Sequence, residues 1–208
     1  MTDQTLRRHV PRRGLLAAVV GLASVAGAAT AFAAASCDAI KQLAIEHTAI
    51  DAAEPIPAGV YKVPGATEIK DVPAFCRVHG AISPVPGSHI GFELWLPDAG
   101  WNGKLEMFGN GGYSSKIAYG NLAGQLKRGY AVLGTDTGHS GDDPAFADGH
   151  PEAIVDWGHR AVHASVVSAK PIVTAFYGRP AGHAYFSGCS TGGHQALMEA
   201  QRYDGDFD

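Results

Sequence analysis

The chain has 208 residues, 46% of them hydrophobic, with a formal net charge of -4 and a pI near 6.2. That is enough apolar material for one substantial core, so one globular domain is expected. The mildly acidic balance, with no basic stripe beyond the first residues, argues against nucleic acid as a partner and in favour of small-molecule chemistry.

The N-terminus reads as a targeting segment. Arg7, Arg8, Arg12 and Arg13 form a basic region, Gly14 to Ala29 is apolar and rich in small residues, and Ala31-Phe32-Ala33 or Ala33-Ala34-Ala35 would serve as a cleavage site. Residues 1–35 are therefore predicted to be a signal peptide, and Arg12-Arg13-Gly14-Leu15-Leu16 looks like its twin-arginine type. The apolar run is too short and too rich in Ala and Gly for a membrane anchor. Ala34-Ala35-Ser36-Cys37 is a poor lipoprotein box, which leaves lipid attachment a minor alternative. The expected location is secreted or periplasmic, with no membrane association after cleavage. Export permits disulfides. Of three cysteines, Cys37 and Cys76 would tie the mature N-terminus to a core strand, leaving Cys189 without a mate.

Past the signal, Cys37 to Ala49 is predicted to be a short amphipathic helix, and Ala53 to Gly59 a Pro-rich loop. Ala74 to Ile82 and His89 to Leu96 read as a hairpin-like strand pair. Lys104 to Phe108 is the next strand and runs into Gly109-Asn110-Gly111-Gly112-Tyr113. Asn121 to Arg128 reads as a helix, and the run Tyr130 to Thr135 as a strand buried on both faces. A loop over 136–149 leads to a long helix, Glu152 to Tyr177, with an apolar stripe that includes Ile154, Val162, Val166 and Ile172. Pro171 inside it predicts a kink near Lys170. Alternation of strands and helices implies a largely parallel sheet covered on both faces.

His183 to Ser187 is a short strand, Gly188-Cys189-Ser190-Thr191-Gly192-Gly193 follows, and His194 to Gln201 is helix-competent. A strand turning into a helix through Gly-x-Ser-x-Gly is the nucleophile elbow of α/β-hydrolases. Gly188 and Gly192 let backbones pass closely while the Ser190 hydroxyl is lifted at the sheet edge. The rival Gly138-His139-Ser140-Gly141 runs into Asp142-Asp143-Pro144, which reads as a loop. Serine acyl transfer also needs two N–H donors for the oxyanion. Thr191, directly after the nucleophile, is one candidate; Gly111 or Gly112, in the glycine loop after an earlier strand, is the other.

A base is missing from this pattern. His194 alone lies beyond Ser190, one turn along the helix and directed away. His139, His150, His159, His163 and His183 precede the serine and are read as structural or surface residues. Asp204, Asp206 and Asp208 look like an exposed turn. The sheet also stops one helix after its elbow. The fold expected is thus an α/β-hydrolase whose sheet is incomplete, ending just after the elbow, with the acid and histidine of the triad absent.

Trp101-Asn102-Gly103-Lys104, Gly109-Asn110-Gly111-Gly112, Thr135-Asp136-Thr137-Gly138-His139, Arg160-Ala161-Val162-His163, Tyr185 to Gly193 and Glu199-Ala200-Gln201-Arg202-Tyr203 together resemble the tannase and feruloyl esterase family over Cys37 to Asp208. The resemblance implies an exported serine esterase acting on galloyl, feruloyl or related aryl esters, with Ser190 as nucleophile. It implies that Cys189 bridges to a cysteine beside the catalytic histidine. It also implies a lid domain after the elbow helix, often carrying structural calcium, then the Asp and His. Residues 36–208 would be the N-terminal part of such a catalytic domain, with lid and C-terminal part missing and little turnover on its own. No cofactor is required for the chemistry, and no metal ligands are assigned in this chain. The competing reading is a non-catalytic fragment or binding module that keeps the elbow without a base. A serine peptidase on the same fold is weaker, since nothing selects an amide over an ester.

Overall fold

In the computed structural model, residues 34–63 and 68–208 are described, so most of the predicted signal segment lies outside the described residues. The alternation that predicts the strand pair builds the middle of the sheet. Strands β4 (Phe75–Ile82) and β5 (Ile90–Pro97) pair antiparallel from Phe75 opposite Pro97 to Ile82 opposite Ile90. Outside β4 lies β1 (Thr48–Ile56), and on the other side follow β7 (Ala131–Thr135), β6 (Lys104–Phe108) and β8 (His183–Ser187). The order β1-β4-β5-β7-β6-β8 is antiparallel from β1 to β7 and parallel from β7 to β8. The sheet is therefore mixed, not largely parallel: the early strands are joined by short turns, and only the later ones by helical crossovers.

Successive side chains on these strands enter two different cores. Ile90, Phe92, Leu94 and Leu96 of β5, with Leu133 and Met107, pack on one side against α4 (Ala161–Tyr177), through Val162, Val166, Ala169 and Ile172. Trp95 of β5, with Phe75, Phe108 and Val132, packs on the other against Leu122, Ala123 and Leu126 of α2 (Tyr119–Leu126). Both faces are covered, as the α/β reading requires.

The N-terminal segment departs from its prediction. Helix α1 (Cys37–Ile40) lasts one turn, and from Thr48 the chain pairs with β4 through Pro55 to Ile56. Residues 53–56, expected in the Pro-rich loop, instead extend β1, because an edge strand tolerates proline, and pairing with a buried neighbour outweighs the helical spacing at Thr48 and Ala49. Cys37 and Cys76 form the disulfide, Cα atoms 5.5 Å apart, clipping α1 to β4. A small sheet of β2 (Gly59–Lys62) and β3 (Glu68–Val72) was not predicted.

The long helix is interrupted, but not at proline. After α3 (Pro151–Val155) comes a π-helical turn, Asp156–Arg160, and α4 then runs unbroken past Pro171. Pro171 removes the N–H that Val167 would have bonded, and Val167 lies on the exposed side, 48% accessible, where water can replace it. The π turn is set by Asp156, which is buried and accepts from Ser88 Oγ at 2.8 Å and from Arg160 Nε. Ile154, expected in the stripe, is exposed.

At the end of β7, one oxygen of the Asp136 carboxylate accepts from the backbone N–H groups of Gly91 and Gly138, both at 2.8 Å, joining β5 to the following loop. Burial pushes the Asp136 carboxyl up to about 6; those two bonds, then His89 and His139, pull it back. Because the folded value is raised, the stability contributed by its proton is complete below about pH 4 and is lost as pH rises towards 6. Asp136→Asn keeps the accepting oxygen without the charge. Its stability relative to wild type should improve, by on the order of 3 kcal/mol at most, between pH 4 and 7 in urea unfolding; a pH-independent difference would refute the assignment.

Candidate active site

The strand-to-helix corner is built on close backbone approach. Helix α5 (Thr191–Arg202) begins directly after Ser190, which adopts φ 57° and ψ -119°. That left-handed backbone is costly for a serine and holds it outside both strand and helix. Ser190 is exposed, as are Gly188 and Cys189. A side chain on Gly188 would meet the Gly192 carbonyl at 2.5 Å, and one on Gly109 would meet Gly192 Cα at 2.7 Å. The glycine loop therefore lies directly on the first turn of α5. Gly188 of the corner and Gly109 of the loop have no room for a methyl group, and Gly192 fits one only tightly, its nearest neighbour being Asn110 O at 3.2 Å.

Two buried side chains hold this contact. Gln195, one turn into α5, accepts from the Asn110 N–H at 3.0 Å, while the Asn110 side-chain amide donates to Thr135 O at 2.9 Å and Lys116 O at 3.2 Å. Gly109 N–H donates to Ser187 O at 2.9 Å. Sequence reasoning missed Gln195; the signal was its place one helical turn after Thr191, on the face that returns to the loop.

Phe108, Gly109, Asn110, Gly111, Asn121, Ser187, Gly188 and Cys189 line an open cleft of about 270 Å³. Gly111 is part of that lining; Gly112, in a left-handed conformation (φ 56°), is not. The N–H groups of Thr191, Gly111 and Gly112 donate to no other described residue. Cys189 is exposed and unpaired among the described residues. Ser140 sits in a loop, as predicted.

No described histidine hydrogen-bonds Ser190. His194 is exposed. A ring nitrogen of His139 lies 2.7 Å from Tyr113 O, and one of His159 lies 2.9 Å from the Tyr203 hydroxyl. His163 is 2.6 Å from Asp206. The last residues are not simply an exposed turn. Asp206 is 8% accessible, and Asp208 accepts from Ala184 N–H at 2.7 Å, because the segment folds back along β8.

The strain at residue 190 yields a stability test. Ser190→Gly removes the left-handed penalty while leaving the glycine contacts intact, so thermal unfolding should show a gain of about 1 kcal/mol. An unchanged or lowered Tm would mean the corner is unstrained.

Residues 76–208 match the family model described as tannase and feruloyl esterase. An uncharacterized esterase of Xanthomonas campestris pv. campestris is 41% identical over 181 residues, 86% of this chain and 31% of that protein. Feruloyl esterase B from Aspergillus oryzae superposes with a TM-score of 0.77 and 30% identity, over 83% of this chain and 35% of its own. Tannin acyl hydrolase from Aspergillus niger, at TM-score 0.64, 22% identity, and coverage of 82% and 35%, shares the fold. The chain thus spans about a third of the length of these relatives. With its α/β-hydrolase sheet and its match over most of the described residues, this chain belongs to the tannase and feruloyl esterase family.

Proposed function

We propose that this chain carries the nucleophile and oxyanion-binding part of an exported serine carboxylic ester hydrolase acting on aromatic acid esters. The observation that carries the reading is the exposed, left-handed Ser190 placed against the glycine loop. Its Oγ would attack the ester carbonyl, and the negative charge formed on the carbonyl oxygen needs donors already in place. Thr191 N–H is one. Gly111 N–H is the better second candidate: it lines the cleft and is unspent, whereas the Asn110 N–H is engaged by Gln195. The serine proton needs an acceptor that no described histidine supplies, so the reading leaves base and acid to sequence outside the described residues. Collapse of the tetrahedral intermediate releases the alcohol, and water completes the cycle. No cofactor enters, and the calcium implied by the resemblance is assigned to no residue of this chain.

Aromatic acyl specificity is supported by the likeness to feruloyl esterase B. A longer protein that contains this chain should release free acid from methyl ferulate or methyl gallate. Ser190→Ala should lower kcat by about 10⁴ or more, and the 208-residue chain alone should fall several powers of ten below the longer protein. Undiminished turnover by the alanine variant would overturn the assignment.

Export is supported by the basic and apolar N-terminal pattern and by the disulfide. Ala35 N–H donates to Ala175 O at 2.9 Å, a bond that cleavage after Ala33 keeps and cleavage after Ala35 removes. Intact mass of the exported protein should place its first residue at Ala34; an uncut chain retained in the cell would refute export.

A further inference from the structure

We propose that His163, Glu199 and Asp206 form a binding site for a divalent transition-metal ion of the zinc type, on the buried face of the elbow helix about two turns beyond Gly192, where the glycine loop's Gly109 makes its contact. His163 comes from α4, Glu199 from α5 and Asp206 from the turn after α5. One ligand atom from each lies within 4.8 Å of the others. The site stands on a second observation: Glu199 is 2% accessible, and both its carboxylate oxygens are buried without a hydrogen-bond partner. A buried carboxyl group with neither oxygen satisfied is rare and costly, and here it points at another buried carboxylate.

Two acidic groups face one imidazole, and the nearby Lys170 ammonium donates to Gly205 O at 3.2 Å, forming a salt bridge with neither carboxylate. One imidazole nitrogen with two carboxylates suits zinc and its neighbours, whereas calcium takes six to eight oxygens. The imidazole is held in place, as metal-binding histidines usually are: the Tyr203 ring stacks on His163 at 3.8 Å, and the Tyr203 hydroxyl is tied to His159 at 2.9 Å. His163 and Asp206, now 2.6 Å apart, would separate to roughly 3.3 Å, the ligand spacing of a tetrahedral ion with bonds near 2.0–2.1 Å. A cleft of about 300 Å³ lined by Glu199, Phe186, Tyr203 and Phe207 gives a route in. A bound ion would join α4, α5 and the turn along β8, stiffening the helix that begins at Ser190.

The metal-stripped full chain, titrated with zinc chloride by calorimetry at pH 7, should bind one ion per chain. Tm should rise with zinc and fall back with EDTA, and cobalt should give the visible bands of a low-coordinate nitrogen and oxygen site. Glu199→Gln, which has the shape of the protonated acid and should fold, should weaken binding at least about a hundredfold, since losing even an outer-shell partner costs 10–100-fold. His163→Ala should do the same. No zinc uptake by the wild type would overturn the proposal. So would uptake unchanged in both variants, which would place the ion elsewhere, for instance at His183 and Asp208.

Discussion

The corner at Ser190 depends on two stretches of main chain touching without side chains between them. Gly109 lies on Gly192, and Gly188 on the same residue, at separations where an added methyl group would overlap backbone atoms. A methyl on Gly109 must push loop and helix apart, and one on Gly188 must distort the corner itself, at the cost of the cleft beside Cys189 and Gly111. The contact is reinforced from inside, where Gln195 and Asn110 cross the gap with buried hydrogen bonds. An oxyanion pocket made of amides has to be assembled before the charge appears, because donors that must reorganise during the reaction lose most of their advantage. Glycine contacts plus a buried amide bridge are a rigid way of doing so.

The rest of the fold shows why that corner is placed at the end of β8. β6 lies between β7 and β8 in the parallel part of the sheet, so its glycine loop and the corner after β8 emerge side by side at the same edge. The antiparallel part contributes stability instead. Its buried ion pair of Arg77 and Glu93, shared with Trp95 Nε1 at 2.9 Å, and the disulfide at Cys76 fasten β4, β5 and the N-terminal segment together. Breaking one partner of such a buried pair would strand a charge in the core.

What could be read from the chain alone was what local pattern determines. β4 and β5 announce themselves by alternation, and the elbow by small residues between a strand and a helix. β1 was misread because Pro55 and Pro57 speak for a loop until β4 is there to pair with. The π turn was invisible, since it depends on Asp156 meeting Ser88, which comes from the β4–β5 connection. Proline, the obvious breaker, proved harmless on a solvent-facing side. Asp206 looked like one more acid in a polar tail; only the return of the chain along β8 buries it against His163. Gln195 was hidden for the same reason: nothing in a helix's own sequence says which loop will lie across it.

The two halves of the sheet also differ in how they can be assembled. β4 finds β5 across a tight connection, so that pairing closes a small loop and can form early. β8 must find β6, a strand from the other end of the crossover helices, and its register from Lys104 opposite His183 to Phe108 opposite Ser187 closes a far larger loop. Topology therefore makes the corner after β8 a late arrival in folding, added to a frame that already stands.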